Sequence, residues 1–190
     1  MFQNHADIKA CLQVLENGGL ILYPTDTVWG IGCDATNIAA VNKIFLLKKR
    51  IESKAMIVLL EEENELLNYV DDETLQIFDY IKGIHKPTTV IYAHGKNLAN
   101  NLLGHDGSIA IRICKDPFCK SLIKQFGKPI VSTSANISGY PTPMCFNDIS
   151  LDIIEGVDYV VNYKQDDNEI KQPSAIVKWD EQGQLVIIRA

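Results

Sequence analysis

The residues best suited to chemistry fall in three polar clusters, each at the end of an apolar run. Tyr23-Pro24-Thr25-Asp26-Thr27-Val28-Trp29-Gly30-Ile31-Gly32 carries two threonine hydroxyls, a carboxylate and two glycines. Those glycines permit close approach of backbone to a ligand or to other chain. Lys48, Lys49, Arg50 and Lys54 concentrate positive charge within seven positions, and Ser132-Thr133-Ser134-Ala135-Asn136-Ile137-Ser138-Gly139 is dense in hydroxyls around one amide. Arg112 closes a further apolar run at 108–112. Hydroxyls, amides and exposed N–H groups hold phosphate oxygens while Lys and Arg neutralise them. The combination points to a phosphorylated or nucleotide ligand. Each cluster also has a plain structural use: a charge run commonly solvates a helix end, and a Ser/Asn run caps a helix or makes an ST-turn.

The elements that must position these clusters alternate in type. Apolar periodicity predicts helices over 7–17, stopped by Gly18-Gly19, and over 37–49, with Asn37 as N-cap. Further helices are expected over 72–82 and from Asp116-Pro117 to Gly127. Strands are expected at 20–23, 56–60, 88–92, 108–112, 129–132, 159–161, 175–179 and 185–188, the last two joined by a turn at Asp180-Glu181-Gln182-Gly183. The run at 56–60 is continuously apolar, as in a strand covered on both faces. This alternation predicts an α/β fold, and the closing hairpin makes the sheet mixed rather than purely parallel. Length, with no repeat or low-complexity tract, predicts one domain over 1–190. In open α/β sheets ligands bind beyond the carboxyl ends of the strands, where Thr25 to Thr27, Arg112 and Ser132 to Ser138 are expected to lie.

Composition narrows the function. A net charge of −6 is unsuited to coating nucleic acid at large, because such binding rests on neutralising phosphates, although a local basic pocket is compatible with it. No apolar run reaches the roughly 20 residues that span a bilayer. No secretory leader is evident at the N-terminus, and the odd set Cys11, Cys33, Cys114, Cys119 and Cys145 never has C-x-x-C spacing. We therefore expect reduced thiols in a cytoplasmic protein, without a zinc site or disulfide framework. Gly30-Ile31-Gly32-Cys33-Asp34-Ala35 matches G-x-G-x-x-A, but Gly30 lies seven positions beyond Tyr23 instead of at a strand end opening a helix. No G-x-x-x-x-G-K-[ST] or G-x-S-x-G occurs, and the four histidines have no metal-ligand spacing.

With these residues in view, the chain resembles the YrdC/TsaC family. The 23–32 segment is similar to that family's P-T-[DE]-T-[VY]-[YW]-G-[LI], and Lys48-Lys49-Arg50 with Ser134-Ala135-Asn136 matches its spaced K-x-R and S-x-N. Pro87-Thr88-Thr89, Arg112, Ser138-Gly139 and Pro173-Ser174-Ala175-Ile176-Val177 follow in family order, so the resemblance spans roughly 8–188. Departures are Gly83-Ile84-His85-Lys86 where P-G-P is common, Ile51 where proline often follows K-x-R, and Leu59 where many members have histidine. In longer members that histidine belongs to the threonine pocket. The chain is similar to the short bacterial form, so the extra C-terminal domain of the long one is not expected.

The resemblance implies a twisted, open, mixed α/β sheet flanked by helices, with a large basic cavity. It also implies threonylcarbamoyl-AMP synthesis from L-threonine, bicarbonate or CO2, and ATP, with release of pyrophosphate. A threonylcarbamoyl-transferase complex then uses the product on tRNA. Lys48 and Arg50 are the expected catalytic residues, stabilising the phosphates. Lys54, Ser134, Asn136, Ser138 and Arg112 are expected to bind ATP or phosphate, and Thr27, Thr89 and Ser174 to bind threonine. Mg²⁺ is expected on the ATP phosphates, without a protein metal site. Two other classes share these features: a non-catalytic RNA-binding or ribosome-associated module, and an enzyme handling a carbamoyl-adenylate. The acidic total and the lack of aromatic-interleaved basic stripes disfavour the first.

Overall fold

The computed structural model describes residues 3–49, 56–71, 83, 86–180 and 182–190. The expected helix over 72–82 lies outside them, as do the candidate residues Arg50 and Lys54.

Helix α1 (Gln3–Glu16) buries Ile8, Cys11 and Leu15, a three-to-four spacing that forms one apolar stripe. It ends where Gly18 adopts φ 66°, a conformation that costs glycine nothing. Helix α2 (Ile38–Leu47) starts at Asn37, whose side-chain oxygen accepts from the N–H groups of Ala39 and Ala40, and it buries Ala40, Val41, Ile44 and Phe45. Helix α3 (Pro117–Phe126) is capped by Asp116 and stopped by Gly127 at φ 70°. A short helix α4 (Leu151–Glu155) follows, which apolar periodicity did not reveal because it makes little more than one turn.

Nine strands form one sheet among the described residues: β1 (Ile21–Tyr23), β2 (Gly30–Gly32), β3 (Ile57–Leu60), β4 (Thr88–Tyr92), β5 (Ile109–Ile113), β6 (Ile130–Ser134), β7 (Tyr159–Val160), β8 (Ala175–Trp179) and β9 (Leu185–Arg189). Their order is β7-β1-β2-β6-β3-β5-β4-β8-β9. The β1/β7, β3/β5 and β4/β8 pairs are parallel and the others antiparallel, so the sheet is open and mixed as expected. Helices α1 and α3 pack on one another and on β1 and β3.

Two strand assignments differ from expectation. Gly30-Ile31-Gly32 is strand rather than loop, pairing with Tyr23-Leu22-Ile21. Its glycines serve chain packing: a Cβ on Gly32 would sit 2.6 Å from the Tyr23 ring and 2.9 Å from the Val131 carbonyl oxygen. Strand β6 extends to Ser134 rather than stopping at Ser132. Its far end pairs with β2 (Gly30↔Ser134), while its near end pairs with β3 (Ile57↔Ser132, Leu59↔Ile130). Tertiary pairing overrides the weak strand propensity of Gly and Ser at both places.

Candidate active site

Side chains alternate across a sheet, so register decides which residues share a surface. Ser132, Ile57, Ala110 and Ile91 stand in one row across β6, β3, β5 and β4. They floor a cavity of about 280 Å³ whose rim includes Thr27, Trp29, Arg112, Ser134, Ser174 and Arg189. The hairpin from β1 to β2, β5, β6, β8 and β9 thus converge on one space. Trp29 is held against Phe146, ring centroids 4.9 Å apart.

Arg112 is 3% exposed, and its Nη2 lies 3.0 Å from Asp26 Oδ1. The other Asp26 oxygen accepts from the Lys115 N–H at 3.2 Å. The geometry of the ion pair is poor for hydrogen bonding: Arg112 Nε and Nη2 are buried without a hydrogen-bond acceptor among the described residues. Arg112 borders the cavity, and a guanidinium there is suited to a carboxylate or phosphate. Arg189 stands opposite Ile176 in the β8/β9 pairing and donates from Nε to the Ser174 carbonyl oxygen at 2.9 Å. Burial, and then the charge of Arg112, hold its pKa below the usual arginine value. Two guanidiniums sharing one small cavity make it a site for anions. Sequence reading missed Arg189, because only the β8/β9 register aims that residue inward.

Thr25 and Thr27 form an oriented pair. The Thr25 hydroxyl donates to the Val28 carbonyl oxygen at 2.8 Å and accepts the Thr27 N–H at 3.0 Å. A hydroxyl has one proton, so across the 2.9 Å contact between the two hydroxyls Thr27 is the donor. Thr27 therefore presents lone pairs to the cavity and can accept an N–H there. Ser174 lines the cavity, whereas Thr89 is fully buried behind it, their hydroxyls 2.8 Å apart.

Lys48 is not part of a solvated helix end. It is 1% exposed, and its ammonium donates to the carbonyl oxygens of Ser134 and Asn136, with Asn136 Oδ1 at 3.5 Å. The Ser134 hydroxyl donates to Asn136 Oδ1 at 2.6 Å, and Asn136 Nδ2 donates to the carbonyl oxygens of Ile137 and Tyr140. The Ser138 N–H closes the assembly on the Lys48 carbonyl oxygen at 2.9 Å. Lysine and loop are one unit, in which Ser134 reaches the first cavity while Asn136 borders a second. The Ser138 hydroxyl is buried with no hydrogen-bond partner among the described residues.

Leu59, where the family often has histidine, lies in register between Ile130 and Arg112 and is completely buried. It does not border the cavity, whose wall at this strand is Met56 and Ile57. Burial pushes the Cys11, Cys33 and Cys119 thiols up, so none of these three supplies a thiolate at neutral pH. Among the described residues no helix is long and apolar enough to cross a membrane.

These features define an α/β protein whose mixed sheet floors a small, arginine-bearing cavity beside a lysine-braced Ser/Asn loop. Residues 13–190 match the model of the Sua5/YciO/YrdC family, described as telomere recombination. The chain belongs to that family. It is 34% identical over 176 residues to the threonylcarbamoyl-AMP synthase of Pseudoalteromonas translucida, covering 91% of this chain and 93% of the relative. Among solved structures, P. abyssi Sua5 complexed with L-threonine superposes with a TM-score of 0.84 at 22% identity, over 96% of this chain and 53% of Sua5. This chain thus spans about half of that protein. E. coli YciO gives a TM-score of 0.83 at 20% identity, over 98% of this chain and 89% of YciO.

Proposed function

We propose that the protein is a threonylcarbamoyl-AMP synthase, joining L-threonine, CO2 or bicarbonate, and ATP into threonylcarbamoyl-adenylate with release of pyrophosphate. The observation that carries this reading is the pair of guanidiniums, Arg112 and Arg189, bordering one small cavity. It fits the carboxylate of a small amino acid, and the Thr27 hydroxyl, left with lone pairs, fits the N–H of the amine or of its carbamate. The threonine amine adds to CO2 and loses a proton, giving a carbamate anion. A carbamate oxygen attacks the α-phosphorus as the bond to pyrophosphate breaks. The nucleophile is already anionic, so positioning and charge neutralisation supply most of the acceleration.

In this reading Lys48 and Arg50 neutralise the phosphates, with Lys54 adding charge. Ser134, Asn136 and Ser138 shape the phosphate loop, and Ser174 with Thr89 forms a wall beside threonine. Mg²⁺ accompanies the ATP phosphates. Asp26, the carboxylate beside the cavity, is ion-paired with Arg112 and accepts the Lys115 N–H, and Mg²⁺ is held mainly by phosphate oxygens and water in this reading. The product passes, in the cytoplasm, to a transferase complex that modifies tRNA. Mass spectrometry after incubation with ATP, bicarbonate and threonine tests the reading. Threonylcarbamoyl-adenylate is the expected product, and pyrophosphate release independent of threonine overturns the assignment.

A further inference from the structure

Among the described residues, the cavity of about 280 Å³ is lined by two guanidiniums, Arg112 and Arg189, and by no carboxylate. A small space bearing two fixed cations draws any small anion. It draws a dianion more strongly than a carboxylate, because Coulomb energy scales with the ligand's charge. A cavity left in that state would fill with inorganic anions before it filled with an amino acid.

Asp26 stands against this field. Its Oδ1 lies 3.0 Å from Arg112 Nη2, with the two side chains 9% and 3% exposed. Neither of these atoms has a hydrogen-bond partner among the described residues, so the contact is one of charge rather than of shared protons. The carboxylate is also fixed in place. Its Oδ2 accepts the Lys115 N–H at 3.2 Å, the Cys119 thiol donates to the Pro24 carbonyl oxygen at 3.2 Å, and the Thr25 hydroxyl closes the loop on Val28. Asp26 does not itself line the cavity, and burial leaves its charge little screened by water or salt. It acts on a ligand through charge, not through contact.

We propose that Asp26 is a specificity-determining residue: its carboxylate offsets one of the two guanidiniums, so that the cavity takes an amino-acid zwitterion and rejects multiply charged inorganic anions. This rests on the synthase reading, in which the protein itself releases pyrophosphate, and adds to it the reason that such an anion does not occupy the amino-acid cavity. The sign of the effect follows from the charges. Asp26 repels a dianion twice as strongly as a carboxylate, whereas the opposite charges of a zwitterion feel it with opposite sign.

Calorimetric titration of L-threonine against rising inorganic phosphate, at constant ionic strength, measures the phosphate that competes for this cavity. Asp26→Asn keeps the side-chain volume and an acceptor for the Lys115 N–H but discards the charge. Phosphate should compete about tenfold more strongly in that variant, with L-threonine affinity shifting far less. Asp26→Glu retains the charge and should keep phosphate weak. Tighter binding is an outcome that damage to the loop does not produce, since a distorted site loses both ligands. Phosphate competition unchanged in Asp26→Asn, both ligands shifting alike, or Asp26→Glu matching Asp26→Asn overturns the role given to Asp26 and leaves the synthase reading standing. A wild-type protein that does not bind L-threonine overturns both.

Discussion

Lys48 Nζ lies 2.5 Å from the carbonyl oxygen of Asn136, so the first residue of the K-x-R motif is physically the brace of the S-x-N motif. Two motifs some 86 positions apart are one mechanical unit, because the same ammonium also binds the Ser134 carbonyl oxygen. A lysine so placed brings its charge to the junction of the two cavities without reaching into either.

Substituting that lysine should therefore cost stability as well as turnover. In Lys48→Met the Asn136 carbonyl oxygen loses the ammonium and that of Ser134 keeps only the Asn136 N–H, a penalty of about 1–3 kcal/mol. For a domain of this size, each kcal/mol lowers Tm by about 2–4 °C. Thermal unfolding of the variant beside wild type measures this. An unaltered Tm alongside lost activity would show that Lys48 acts on ligand alone.

Arg112→Lys keeps the charge but discards the planar fork. Steady-state kinetics should show the KM for L-threonine rising about tenfold, equivalent to 1.4 kcal/mol, with kcat changed far less. A fall in kcat at constant threonine KM would move Arg112 from carboxylate binding to the phosphates.

Asp7 should govern part of the acid stability. It is buried in α1 and accepts from the Tyr159 hydroxyl at 2.6 Å, the Asn162 N–H and side-chain amide, and the Tyr163 N–H. Burial pushes its pKa up, but these four donors outweigh burial and hold it below the ordinary 3.8. A depressed folded pKa contributes stability that is complete above the unfolded value and is lost as pH falls through the folded one. Urea unfolding of wild type and Asp7→Asn should therefore differ most at neutral pH, and the difference should shrink as pH drops below about 4. A gap that stays constant down to pH 2 would show that the carboxylate's charge is irrelevant to the fold.

Much of the architecture was legible because it rests on local rules. The Asn37 and Asp116 caps and the Gly18 and Gly127 stops follow from side-chain hydrogen bonding and from backbone freedom at glycine. The strand at 88–92 follows from an unbroken run of β-branched and aromatic residues, and that at 175–179 from Ile176, Val177 and Trp179. Gly30-Ile31-Gly32 escaped because glycine carries no strand signal of its own; its strand exists through pairing with Tyr23-Leu22-Ile21 on one side and β6 on the other.

By itself the sequence determined the kinds of chemistry available: a hydroxyl-rich loop after the first strand, a basic run, a Ser/Asn run, and one arginine closing a strand. Tertiary structure alone decided how those residues are spent. Lys48 turned inward because the carbonyl oxygens of Ser134 and Asn136 offer a buried ammonium what water would otherwise supply. Arg189 joined the site, and Leu59 was excluded from it, through strand register. Register reflects pairing between segments distant in the chain, so no local pattern of residue types encodes it.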